Sequence, residues 1–530
     1  MARHAGLMLP LFSAPGTSSW GLGEFSDLVP LASWSASAGF DRLMLLPLGT
    51  LPDAVTSPYS AMTAMALDPV YISLDGVEDF TRAGGFSALS PASRQDLDTA
   101  RGSARVRYAE VRRAKREALD IAFRRFVDDE WSALTLRAAS LAAYIARERW
   151  WLDDYAVYCA LAAAMNQPSW RDWPAPLRDR APGAIDDARR RLTREILREQ
   201  YWQWLAETQW QDARRDARAA GVTLFGDLPF MVNANSPDVW ARPAEYMFDV
   251  SLGVPPDAFS DTGQDWDLPT YRWDAIAAGG YAWIDLRARR MAALFDGYRV
   301  DHLVGLYRTF GRPRDGAPFF NPADEGDQIL QGERILQILM QSGATIVAED
   351  LGVVPDFVRA SLERLGVPGS KVLRWERAWH VPGQPFVDPA AYPARSAAMT
   401  GTHDTTTLAG WWDEAPQDER AAVAAMLASA GAPGLDPDAG WNDRLRDALL
   451  TSIYRAGSQE LFLPIQDIFG WRDRINTPAT VTDQNWTFRL PWPADRIAGA
   501  TEATERAAFC RAQASAAGRG RRADWASDVW

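Results

Sequence analysis

Seven stretches of the chain repeat one pattern, an apolar and often β-branched run that ends in a polar or charged cluster. They are FDRLMLLPLG (40–49), VTLFGDLPF (222–230), FDGYRVDH (295–302), ATIVAEDLG (344–352), SKVLRWE (370–376), AAMTGTHD (397–404) and QELFLPIQD (459–467). A weaker eighth is VYISLD (70–75). Between most of them the apolar spacing turns helical, as in GDQILQGERILQILMQSG (326–343) and PDFVRASLERLG (355–366). Strands alternating with helices predict a parallel sheet. About eight such units predict the α/β class and a closed (β/α)8 TIM barrel, in which polar strand ends gather on one rim.

Two segments exceed what a barrel needs, so we expect a single barrel over 1–530 carrying two insertions. Residues 85–200 are Ala- and Arg-rich, as in DLDTARGSARVRYAEVRRAKREALDIAFRRFV (96–127), and predict an inserted helical subdomain whose charge runs are solvated faces. Residues 228–290 are rich in Pro, Gly, Asp and Trp and predict a long ordered loop at the rim, placed as a substrate lid.

Composition narrows the function. The 530 residues are 47% hydrophobic and 24% charged, a folded globular balance. A net charge of −13 argues against nucleic acid or an anionic membrane as partner. The two cysteines, Cys159 and Cys510, suit a reducing, cytoplasmic location better than a disulfide scaffold. The opening MARHAGLMLPLFSAPG has an apolar run too short for a signal peptide, interrupted by Pro10, and no stretch is long enough to span a membrane. Tryptophan is abundant, at 24 residues. Indole rings mostly fill cores, but they also stack on the C–H faces of sugars.

In FDGYRVDH, period-two alternation puts Gly297, Arg299 and Asp301 on one face and Tyr298 and Val300 on the other. On this stretch alone a structural ion pair fits as well as a reactive carboxylate. The pattern recurs, however. Asp301, Glu349 in VAEDLG and Asp404 in GTHD stand at three different strand ends. Chemistry that needs one carboxylate ionised and another protonated separates their pKa values by placement. Arg299 beside Asp301 predicts an anion there, and the apolar run before Glu349, with Asp350 after it, predicts a raised pKa. The histidines His4, His302, His380 and His403 have no metal-site spacing, and there is no P-loop, GxGxxG, GxSxG elbow or zinc-type cysteine pattern.

The chain resembles the 4-α-glucanotransferases known as amylomaltases or disproportionating enzymes, glycoside hydrolase family 77. The resemblance runs from GLMLPLFSAPGTSSWGLGEF (6–25) and SPYSAMTAMALDPVYI (57–72) through WLDDYAVYCAL (151–161), GDLPFMVNANSPDVW (226–240) and GVPPDAFSDTGQDWDLPTYRWD (253–274). It continues through YRVDHLVG (298–305), VAEDLG (347–352), GTHDTTTLAGWW (401–412) and RINTPATVTDQNW (474–486). It implies maltooligosaccharides and α-1,4-glucans as partners, no cofactor, no metal, and a retaining mechanism in which an acceptor sugar replaces water. It implies Asp301 as nucleophile held anionic by Arg299, Glu349 as acid/base and Asp404 as the third carboxylate. His302 and His403 match sugar-contacting histidines. Tyr59, Asp227, Gln264, Trp266 and Asn485 match further substrate contacts. The chain departs from the family pattern at Ala258, Thr405, Thr406 and Asn235. The departures bear on chain-length preference and on transfer against hydrolysis. A hydrolase of the same fold and a non-catalytic glucan binder are the alternative readings; an intact carboxylate set argues against the binder.

Overall fold

A computed structural model describes residues 2–167, 169–256 and 262–520. Eight parallel strands close into a barrel: Gly6–Met8, Arg42–Met44, Thr223–Leu228, Gly297–Val300, Thr345–Ala348, Gly369–Val372, Ser396–Met399 and Glu460–Pro464. They follow one another around the barrel in chain order, and closure comes from the first strand pairing with both the second and the eighth. Gly6 lies opposite Arg42 on one side and Phe462 on the other. This is the (β/α)8 fold expected from the alternating pattern.

The strand interiors are filled by side chains and not by a pore. Met8, Met44, Phe225, Val347, Val372, Ala397, Met399 and Phe462 form one buried cluster, with the Phe225 and Phe462 rings 5.5 Å apart. Close packing sets one glycine outright: a Cβ on Gly226 would sit 2.5 Å from the Phe295 ring.

Seven of the seven stronger stretches contain a barrel strand. The eighth does not come from VYISLD. That stretch forms two 3-10 turns, Pro69–Tyr71 and Leu74–Gly76. Its carbonyls are taken by the buried Lys115 ammonium, which donates to Val70 O at 2.5 Å and Ile72 O at 2.8 Å, so no ladder can use them. The missing strand is Gly6–Met8, inside the opening apolar run.

Between the second and third strands the chain is helical, with long helices at Tyr108–Phe126, Leu136–Met165 and Thr193–Ala219. Buried ion pairs tie it to the barrel: Lys115 to Glu24 at 2.7 Å and Glu207 to Arg290 at 2.7 Å. The segment 228–290 is more structured than a loop. Its strands Tyr246–Val254 and Gln264–Tyr271 join Thr309–Pro313 and Phe319–Asn321 in a four-stranded antiparallel sheet. Ala258, one of the departures from the family pattern, lies outside the described residues. Among the described residues no helix is long and apolar enough to cross a membrane.

Candidate active site

The fourth strand delivers the site as the alternation predicts. Tyr298 points outward, its hydroxyl 3.4 Å from Leu339 O on a surrounding helix. Arg299 points inward and is 6% exposed. Its Nη1 lies 2.6 Å from Asp227 Oδ2 on the neighbouring third strand, where Asp227 and Arg299 are in register. Its Nη2 lies 3.1 Å from Asp301 Oδ1 and 3.0 Å from Glu349 Oε2. One guanidinium therefore holds three carboxylates from three adjacent strands, using its planar fork of donors.

Each carboxylate has a further partner. The Phe230 amide reaches Asp301 Oδ2 at 3.3 Å, and the His302 amide donates to Glu349 Oε2 at 2.6 Å. His302 adopts φ 46°, in the left-handed region. Tyr59 donates its hydroxyl to Asp227 Oδ2 at 2.7 Å, while Asp227 Oδ1 is buried with no hydrogen-bond partner.

The seventh strand's end supplies Asp404. Its Oδ2 lies 3.2 Å from His403 Nε2, its Oδ1 accepts from Asn476 Nδ2 at 2.7 Å, and its carbonyl accepts from Arg474 at 2.8 Å. Its side chain is 42% exposed, so it faces the open rim. His403 stacks on Tyr59 with ring centres 4.9 Å apart, which joins the Asp404 side of the rim to the Arg299 side.

The electrostatics invert one expectation. Burial pushes Asp301 up to about 8 against the opposing pull of Arg299, and the negative charges of Glu349 and Asp227 add to the rise. Glu349 is also buried, but Arg299 and then the His302 amide hold it below the usual carboxylate range. The directions of the two shifts are the reverse of those the sequence predicts. The reason is geometric: Arg299 reaches both carboxylates, and Glu349 also receives the short His302 N–H bond. Asp404 is also desolvated, but His403 and Asn476 keep it strongly ionised. His403 is raised because Asp404 outweighs its burial, whereas burial lowers His302 to about 4 and leaves it neutral.

Most of the other expected residues converge here. Trp266 lies edge-on to His302 at 4.8 Å and donates to Gln264 Oε1 at 3.2 Å, so the antiparallel sheet reaches the residue that follows Asp301. Asn485 is different. Its amide is spent inside the 476–486 loop, accepting from Thr477 N at 3.2 Å and donating to Thr480 O at 2.9 Å. It shapes the loop that presents Asn476, and it has no contact with the carboxylates. Asn476, Arg474, the Phe230 amide and Trp486, whose ring lies 5.8 Å from Tyr59 and 5.7 Å from His403, were not singled out from sequence. The RINTP and QNW motifs held three of them, but nothing in the spacing says which amide faces Asp404. The departures at Thr405 and Thr406 build the turn: Thr405 Oγ1 accepts from Thr402 N at 3.0 Å, and Thr406 Oγ1 accepts from Arg374 at 2.5 Å. The Asn235 amide donates to Asn233 Oδ1 at 2.8 Å. Among the described residues no cluster of His, Cys, Asp and Glu is arranged to hold a metal ion.

Fold and site together define a (β/α)8-barrel enzyme whose rim gathers carboxylates around one arginine. Residues 9–495 match the family model described as 4-alpha-glucanotransferase. The chain is 32% identical over 526 residues to the 4-alpha-glucanotransferase of Thermus thermophilus, covering 96% of this chain and 99% of that one. It is 30% identical over 491 residues to that of Chlamydia pneumoniae, covering 92% and 91%. In fold it is similar to the amylomaltase of Streptococcus agalactiae solved with acarbose, with a TM-score of 0.81 at 23% identity over 98% of this chain and all of that one. The chain belongs to the 4-alpha-glucanotransferase family.

Proposed function

We propose that the protein moves α-1,4-glucan segments from a donor maltooligosaccharide to the 4-OH of an acceptor glucose or glucan by double displacement. The observation that carries this reading is the shared grip of Arg299 Nη2 on Asp301 and Glu349. Two carboxylates within reach of one nitrogen lie on the side of the ~5–5.5 Å spacing of retaining enzymes, not the ~6.5–9.5 Å of inverting ones. Asp301 acts as nucleophile and Glu349 as acid/base. Asp404, kept anionic by His403 and Asn476, binds sugar hydroxyls and opposes the positive charge that develops at C1. Asp227 Oδ1, buried and without a partner, suits a sugar hydroxyl.

A bound sugar places a leaving oxygen against Glu349 and a carbon of growing positive charge against Asp301. Both changes favour a proton on Glu349 and a charge on Asp301, so Asp301 attacks as the anion. His302 stays neutral and serves as a hydrogen-bond partner, not as a second acid.

Maltotriose incubated with the protein tests the reading. A ladder of longer and shorter glucans with constant total reducing ends supports transfer. Glucose and maltose alone, with rising reducing ends, would make it a hydrolase, and no change would refute both.

A further inference from the structure

Among the described residues most tryptophans are buried or half-buried, and Trp379 is the most exposed of them. Trp379 is 62% exposed, in the loop that follows the sixth barrel strand. That strand lies between the fifth, which ends at Glu349, and the seventh, which ends near Asp404, so its loop rises from the same rim as the carboxylates. Val381 in the same loop is 38% exposed, and Val353, in the loop of the neighbouring fifth strand, is 59% exposed.

The loop does not expose its indole by being loose. Its base is pinned: Arg377 lies over the Phe386 ring at 4.0 Å and pairs with Glu419 at 3.1 Å, and buried Phe386 meets Trp411 at 5.9 Å. Its backbone closes on itself through Ala378 N to Pro385 O at 2.9 Å, Val381 N to Ala378 O at 2.8 Å and Val387 N to Glu376 O at 2.9 Å. Phe386 anchors the loop; Trp379 contributes nothing to the anchor. A large apolar ring carried on an anchored loop, on the rim of a sugar-processing barrel, is a surface for an apolar partner face.

We propose that Trp379 is a remote subsite that stacks on the C–H face of a glucose unit of the α-1,4-glucan, away from the bond being broken, with Val381 and Val353 extending the apolar surface. It gives long chains an advantage over short ones. The inference rests on the glucan-transfer reading above, and the test separates the two. Transfer by wild type, Trp379→Ala and Trp379→Tyr is measured with maltotriose and with long linear amylose. In Trp379→Ala the ratio of kcat/KM for amylose to that for maltotriose falls about tenfold through KM, and Trp379→Tyr recovers much of it. An unchanged ratio in Trp379→Ala overturns the subsite, whatever the absolute rates. Amylose binding is measured in parallel by calorimetry on the Asp301→Asn protein with and without Trp379→Ala, a readout that needs no turnover. Weaker binding on loss of the indole supports the subsite, and equal binding refutes it. A wild type that binds amylose through Trp379 without transferring it would refute the transfer reading alone.

Discussion

The ring of Tyr59 lies nearly parallel to the imidazole of His403, 4.9 Å away and tilted by 22°, while its hydroxyl donates to Asp227. One side chain thus couples the two halves of the rim, by stacking on one side and by a charge-assisted hydrogen bond on the other. Tyr59→Phe keeps the stack and removes the bond. A buried carboxylate that loses a donor costs about 1–3 kcal/mol. We expect a lower urea midpoint and a clear fall in kcat/KM. An unchanged midpoint would show that Asp227 is satisfied by Arg299 alone.

Under the proposed double displacement, Asp301→Asn should abolish transfer while leaving glucan binding largely intact, because it removes the proposed nucleophile and keeps the arginine network. The same substitution should stabilise the fold. Asp301 has a native pKa of about 8, above its value in the unfolded chain, so the stabilising contribution of its proton is complete at acid pH and is lost as pH rises through 8. Asn carries no such loss. The stability gap between variant and wild type should therefore widen from about pH 4 to pH 8, by less than the single-group limit of about 1.4 kcal/mol per pH unit. The 19% exposure of the Asp301 side chain admits water and keeps the slope under that limit. Urea titrations at several pH values measure it; a gap that narrows with pH would contradict the burial of a protonated Asp301.

Glu349→Gln should be nearly inactive on maltotriose yet accept an α-glucosyl fluoride, whose leaving group needs no proton. The glycosyl group then accumulates on Asp301 because no base activates the acceptor. Intact-mass spectrometry should show one added sugar. Absence of the adduct, while wild type consumes the same donor, would remove Glu349 from the acid/base role.

Asn476→Ala removes the 2.7 Å donor to Asp404 Oδ1. His403 still keeps Asp404 ionised, so the acid limb of the pH–rate profile should stay in place while kcat falls by about tenfold through loss of the group that orients the carboxylate. An unchanged kcat would mean that Asn476 has no part in positioning Asp404.

Gly226→Ala tests packing without touching chemistry. The added methyl meets the Phe295 ring at 2.5 Å, and overpacking of this kind costs typically about 1–3 kcal/mol. The melting temperature should fall, and a stability equal to wild type would mean that Phe295 can turn aside.

The barrel was legible because each stronger run carries its own strand signal and its own polar end. Gly6–Met8 was not, because three residues carry too little periodicity to stand out from the apolar run around them. VYISLD has the composition of a strand but lies beside Lys115, a partner supplied from forty residues away. The antiparallel sheet was hidden by its irregular pairing, with register breaks between Met247 and Ser251 and again before Gly253. The strand ends that bear Asp301, Glu349 and Asp404 were legible in sequence, whereas the directions of their pKa shifts were not. Those depend on Asp227 from another strand and on the His302 backbone amide, neither of which a linear motif records.

Barrel closure gives this enzyme a timetable. The first strand waits for a partner that is translated last among the strands, since Gly6 pairs with Phe462. At ~5–20 residues per second the ribosome takes on the order of half a minute to a minute and a half to supply it. Until then the first strand is an unsealed edge, and the ends that carry Asp301, Glu349 and Asp404 belong to an open sheet. A nascent chain can therefore hold all three carboxylates and still lack the closed ring that fixes their spacing.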